Sequence, residues 1–235
     1  MIPLTLRSHY SLLWGTASIR QLCRRARELG YTRLALTDTD NLYGLWPFLD
    51  ACRREGLTPI VGAEITDPRK PRRAVCLVAD ASGYTGLCRL LTQRHMDADF
   101  DLAAALPDHA QGLIVLTSDP QLLARWHRRG VQVAAAMPRA PLAPTHPLRQ
   151  TARELGLPLV ATPGSFFLRP EDHARHRLLR AIDLNTTLER LPADQVAPAN
   201  AWLAPPERYA ERFAACPEAI AQTQAIAERI TFTGP

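Results

Sequence analysis

Side chains able to do acid–base or metal chemistry fall at a few short places in this 235-residue chain, just past apolar runs. They are His9, Asp38 and Asp40 in TDTDN, Glu64 in GAE, and Asp119 in SDP. A hydrolytic metal centre needs His, Asp, Glu or Cys converging from several such places at once. Four carboxylates and one imidazole are few for that task, and each has a plainer use. Asp38 and Asp40 sit in a strand-to-helix turn, where short acidic side chains cap backbone N–H groups. Asp119 precedes Pro120 and reads as a helix N-cap. His9 reads as a surface residue. Glu64 is harder to dismiss, because it stands at the end of an apolar strand.

Other arrangements are weaker. His173 and His176, beside Glu171 and Asp172, put two imidazoles near one helix face, where hydrogen-bonded structural histidines are the plainer expectation. Gly164-Ser165 has no evident His/Asp partner set for nucleophilic work. No GxGxxG, GxxxxGK[ST] or GxSxG motif occurs. The five cysteines form no CxxC pair and read as reduced structural residues, not zinc ligands.

The elements that position these residues follow from hydrophobic patterning. Apolar runs at 3–6, 33–37, 58–65, 74–79, 112–117, 131–137 and 158–162 read as seven strands. Amphipathic stretches separate most of them, several with clear punctuation: Ser18 before and Gly30 after the first, Gly56 after the second, Asp119-Pro120 before and Gly130 after another. Unbroken apolar strands alternating with helices predict a parallel sheet covered on both faces. Seven such units predict a closed or nearly closed β/α barrel, with a doubly wound open sheet as the alternative. The Pro/Ala-rich stretch 138–147 reads as a loop. The expected division is a barrel over residues 1–190 and a helical extension over 191–235 packed on it.

Composition limits the partners. The net charge is +5, and Lys70 is the only lysine among 28 basic residues. Arginine binds phosphate bidentately, so nucleic acid is a conceivable ligand. However, the one basic run, Arg69-Lys70-Pro71-Arg72-Arg73, lacks interleaved aromatics and reads as a solvated turn. No window of 18 apolar residues suits a membrane span, and the first residues lack a signal-peptide pattern. A cytoplasmic protein without a membrane partner is expected.

Several collinear blocks resemble the PHP domain of bacterial DNA polymerase III alpha subunits and error-prone polymerases. They are LTLRSHYSLLWGTASIRQLCRRARELGYTRLALTDTDNLYGLWPF, GLTPIVGAEI, LVADASGYTGLCRLL, HAQGLIVLTS, LPLVATPGSFFLRPEDHARHRLLRAI and WLAPPERYAERFAACPEAIAQTQAIAERI. The resemblance runs from Pro3 to about Thr231 and implies a distorted seven-stranded β/α barrel. Arg7-Ser8, GTASIRQL and LGY look like the error-prone branch; TDTDNLYGLWPF looks like the replicative branch.

Metal-dependent members of that family hold a group of ions with histidines, acids and a cysteine. Matched motif by motif, those ligand positions fall on Thr5, Arg7, Trp14, Thr39, Glu64, Ala74, Asp119, Gly164 and Phe166. Glu64 alone keeps the family residue, and Asp119 is a different potential ligand. Thr, Trp, Ala, Gly and Phe are not strong anionic or imidazole donors. Arg7 brings a fixed positive charge where cations would sit, so an Arg7–Glu64 ion pair is expected, with Trp14 and Phe166 filling vacated volume.

The resemblance thus implies a non-catalytic PHP module with no cofactor, partnered with a polymerase body or a proofreading or replication protein. The palm that carries polymerase carboxylates lies beyond the matched blocks. The alternatives are a phosphoesterase or 3′–5′ exonuclease holding zinc or manganese on Glu64 and Asp119, and a nucleic-acid-binding module.

Overall fold

The computed structural model describes residues 1–138 and 141–235. Residues 139 and 140, within the stretch read as a loop, lie outside the described residues. Six strands form one curled sheet in chain order: β1 (Arg33–Leu36), β2 (Thr58–Thr66), β3 (Arg73–Val78), β4 (Leu113–Thr117), β5 (Val133–Met137) and β6 (Leu159–Ala161). The helices are α1 (Ile19–Glu28), α2 (Leu45–Glu55), α3 (Ala81–Met96), α4 (Leu102–Ala105), α5 (Pro120–Arg128), α6 (Pro147–Glu154), α7 (His173–Asp183), α8 (Pro206–Arg212) and α9 (Pro217–Glu228).

Local chemistry sets many of the ends. Ser18 and Gln21 form a capping box on α1, satisfying N–H groups that helix starts leave open. Gly56 closes α2 at φ 66°, a left-handed value that glycine adopts at low cost. Asp119 caps α5 through the Gln121 and Leu122 amides, with Pro120 at the first helical position. The short helix α4 and the 3-10 turn after it, Leu106–His109, have no counterpart in the sequence reading.

Two expectations need correction. First, the sheet is mixed: β3 runs antiparallel to both β2 and β4. Residues 67–72 between β2 and β3 are too few for a crossover helix, so these strands join as a hairpin. Second, among the described residues the sheet has six strands, not seven. Residues 3–6 lie between β1 and the chain after β6, and make only an isolated bridge, Leu6 to Ser165. Their bonds are mixed: the Ala35 amide reaches the Pro3 carbonyl, but the Leu6 amide donates to the Thr37 hydroxyl. A side chain thus substitutes for one rung of the ladder.

Period-two alternation sorts the sheet's two faces. Ala35, Ile60, Val75, Leu77, Ile114, Leu116, Ala134, Ala136 and Val160 share the inner cluster with Ile2, Leu4, and Ile226 and Ala227 of α9. The alternate residues Val61, Ala63, Cys76, Val78, Val115 and Ala135 join an outer cluster with side chains of α3, α4, α5 and α6. Because β3 is reversed, its first residues, Arg73 and Ala74, stand beside the last residues of β2 and β4. That places them at the mouth where β/α barrels carry chemistry.

Candidate functional site

One cavity of about 310 Å³ opens at this mouth. Thr5, Arg7, Trp14, Glu64, Ala74, Gly164 and Phe166 all line it, joined by Arg73, Thr117, Thr162 and, from the late chain, Asp194, Val196, Ala197, Pro198 and Ala201.

Glu64 lies near the end of β2 and is 3% exposed. Arg7 Nη2 donates to its Oε1 at 2.5 Å, the Thr39 hydroxyl donates to Oε2 at 3.1 Å, and Arg73 Nη1 stands 3.7 Å from Oε1. Burial by itself would raise the Glu64 carboxyl. The charges of Arg7 and Arg73, with hydrogen bonds from Arg7 and Thr39, outweigh burial and hold it below its ordinary value. Both members of the Arg7–Glu64 pair are buried, so each is the other's main substitute for water.

The Arg7 guanidinium also lies over the Phe166 ring, 4.4 Å from its centroid. Trp14 packs obliquely on Phe166 at 5.6 Å, and Arg180 covers the Trp14 ring at 3.8 Å. His176 stands 5.8 Å from both rings. It is fully buried: its Nδ1 donates to the Trp14 carbonyl at 2.8 Å, while Nε2 accepts from the Ala197 amide at 2.9 Å. Arg180 Nε donates to the Gln195 carbonyl. The aromatic group is therefore fastened to the late segment lining the same cavity.

This wiring fixes His176 as neutral. Burial lowers its pKa to about 4 from an ordinary 6.5. A depressed folded value means that the unfolded chain takes up the proton first. The stabilisation is complete above pH 6.5 and is lost as pH falls toward 4. Urea unfolding should lose roughly 2 kcal/mol over that window through this group. His176→Gln should flatten the slope between pH 6.5 and 5; an unchanged slope would refute the assignment.

The remaining candidate residues sit elsewhere. Asp38 is buried and accepts from the Ser8 amide, the Ser8 hydroxyl and the Ser11 hydroxyl, each at 2.7 Å. Asp40, at φ 54°, accepts from the Thr66 amide at 2.8 Å and the Thr66 hydroxyl, with Arg94 at 3.3 Å. Neither caps α2, whose N-terminus has no side-chain cap. The capping expectation gives way to long-range buttressing of the loops around the mouth. Asp119 is used by α5 and lies 3.6 Å from Arg72, outside the cavity lining. His9 is exposed and stacks on Tyr10; His173 bonds the Ala197 carbonyl. Ser165 meets the Tyr209 hydroxyl.

The basic run is internally paired, Arg69 with Asp99, Lys70 with Asp101 and Arg72 with Asp119. Arg73, read from sequence as part of a solvated turn, instead reaches the mouth because it opens the reversed strand. Thr162 and the 194–201 segment were not singled out by sequence; no residue-type signal marks them.

The family model of the PHP domain matches residues 3–160. The chain belongs to the PHP domain family. The DNA polymerase III subunit alpha of Neisseria meningitidis serogroup A is 31% identical to this PHP chain over 97% of its length. The error-prone DNA polymerase of an Anaeromyxobacter strain is also 31% identical over 97%. The PHP chain spans 23% and 22% of these relatives, less than a quarter of each. A solved structure from Bifidobacterium adolescentis, assigned as a metal-dependent phosphoesterase, is 15% identical and covers 68% of this chain and 86% of its own, with a TM-score of 0.48.

Among the described residues, no three His, Cys, Asp or Glu side chains come together to hold an ion. At the mouth, the buried carboxylate is engaged by the Arg7 guanidinium at 2.5 Å. All five cysteines are free, and none lines the cavity. No described helix is long and apolar enough to cross a membrane.

Proposed function

We propose that this PHP domain is a non-catalytic module of the polymerase III alpha kind, which serves replication or repair synthesis through protein contacts. The observation that carries the reading is the Arg7 guanidinium paired with Glu64 and laid on Phe166. Of the positions matched to ligands of the metal-dependent relatives, Arg7 is a cation and Trp14, Ala74 and Phe166 are apolar. Packed aromatic side chains and one internal ion pair, beside a cavity of about 310 Å³, take over the structural task that bound cations would perform. The module is cytoplasmic on this reading, its partner is a polymerase body or a proofreading or replication protein, and residues 191–235 act as a helical extension of the barrel. The relatedness to two kinds of polymerase, each at 31% identity, supports the choice of partner class.

Co-expression with the polymerase body encoded in the same genome, followed by affinity capture and gel filtration, tests the reading. A stoichiometric complex that survives gel filtration is the expected result. Migration of the chain alone, with no replication or repair protein retained, would contradict it.

A further inference from the structure

A second cavity, of about 370 Å³, lies between α1 and the chain that leads into α7, and shares no residue with the mouth. Local packing brings its two walls together. The Thr16 amide donates to the Phe166 carbonyl at 3.0 Å, and Leu168 packs on the cluster that holds Leu22 and Ala26 of α1. The polar flank of α1 is thereby set beside residues 168–175.

Charge on these walls does not cancel. Arg24 and Arg25 from α1, with Arg169 and Arg175 from the other wall, face two carboxylates, Glu28 and Asp172. Both carboxylates are already engaged. Glu28 pairs with Arg25 at 3.2 Å, and Asp172 stands 3.5 Å from Arg175 while accepting from the Arg169 amide at 3.2 Å. Arg24 and Arg169 form no ion pair among the described residues, so their guanidiniums leave an excess of two positive charges. The mouth differs, because there Arg7 and Arg73 stand against Glu64 and Asp194 and balance.

The capping box adds an oriented donor. Gln21 Oε1 accepts from the Ser18 amide at 3.0 Å and the Ser18 hydroxyl at 2.9 Å. What Gln21 can offer a ligand is therefore its NH₂ group, which only donates. Arg24, Arg169 and Gln21 are all exposed, so a solute can reach them. Ala17 and Leu168 supply little apolar wall, which suits a bare charged head group better than a ring or an acyl chain.

We propose that this cavity binds a phosphate monoester dianion, gripped by Arg24 and Arg169 with the Gln21 amide as a further donor. The planar guanidinium fork matches phosphate oxygens two at a time. A monoester carries about 1.5–2 negative charges at neutral pH, the size of the local excess. A diester carries one and leaves part of that excess unbalanced. The inference depends neither on the reading of the mouth nor on the partner proposed above.

Ethyl phosphate serves as the probe, with diethyl phosphate as its singly charged diester and an oligodeoxynucleotide with hydroxyl ends as a chain of diesters. Titrations of the isotope-labelled full chain at matched ionic strength are followed by NMR, through the arginine Nε–H and glutamine side-chain signals. Ethyl phosphate should give saturable shifts at Arg24, Arg169 and Gln21, with diethyl phosphate at least about fivefold weaker. Arg24→Gln and Arg169→Gln should each weaken ethyl phosphate about tenfold, the scale of a lost charge-assisted hydrogen bond. Both side chains are exposed and unpaired, so the variants keep the fold. Arg69→Gln removes the same charge from an exposed pair with Asp99 and should leave binding unchanged.

Shifts that do not saturate, diethyl phosphate binding as well as ethyl phosphate, or an equal loss in Arg69→Gln would each overturn the proposal. Tighter binding of the oligodeoxynucleotide through the same arginines would also overturn it, marking a surface for a nucleic-acid backbone instead.

Discussion

Arg7→Met should destabilise the fold by about 3–5 kcal/mol at pH 7, because it strands the Glu64 carboxylate inside the protein. The partner is buried to 3% and loses the guanidinium that faces it at 2.5 Å. Arg73, 3.7 Å away and largely exposed, offsets part of the loss, which favours the lower end of the range. The pH dependence has a definite sign. In the parent, Glu64 titrates below its ordinary 4.5, so the pair's contribution is complete above pH 4.5 and is lost as pH falls through the folded value. In Arg7→Met, burial dominates and favours the protonated acid, so the penalty shrinks toward acid. The double change Arg7→Met with Glu64→Leu should return to within about 1 kcal/mol of the parent, since removing both charges leaves no orphan. Denaturant unfolding of the two variants, with the pH series, checks all three outcomes. A single variant as stable as the parent would remove the pair from its structural role.

Asp38→Ala should be comparably damaging, by about 3 kcal/mol or more. Asp38 accepts three hydrogen bonds at 2.7 Å, from the Ser8 amide, the Ser8 hydroxyl and the Ser11 hydroxyl. These hold the turn over residues 8–15 that carries Trp14 to the mouth. The same turn folds back so closely that a Cβ on Gly15 would fall 1.9 Å from the Ser8 carbonyl oxygen. Without the carboxylate, a backbone N–H is left buried with no acceptor. Asp38→Asn keeps one acceptor oxygen and should cost less. Hydrogen exchange should localise the damage: amides of residues 8–15 lose protection before those of β2 and β4. Uniform loss across the sheet would show that Asp38 supports the fold generally and not this turn.

Much of the framework was legible from residue patterns. The strands at 33–37, 112–117 and 131–137 are apolar runs long enough to be buried on both faces, and their helices carry Ser18, Asp119-Pro120 and Gly56 as punctuation. The reversed β3 was readable too, since the six residues 67–72 cannot hold a crossover helix. Treating every apolar run as parallel hid that, and with it the arrival of Arg73 at the mouth. The segment 3–6 is apolar and extended, yet its rungs depend on the Thr37 hydroxyl and on the chain beyond β6, which no local pattern reveals.

At the site, Glu64 was singled out by its place at the end of an apolar strand, and Arg7 by matching family motifs. Their surroundings were not accessible that way. The partners of Asp38 lie 27 and 30 residues away and those of Asp40 26 and 54, so a local capping role was the natural reading of TDTDN. His176 reaches Trp14 across 162 residues, and only the assembled fold brings them together.

Metal content is the most direct test of the idea that packing and an ion pair have replaced cations at this mouth. The purified chain should be incubated with zinc or manganese, dialysed, and analysed by inductively coupled plasma mass spectrometry beside Glu64→Ala. Neither metal should be retained stoichiometrically by either protein. One or more equivalents held by the parent and released by Glu64→Ala would contradict the account outright.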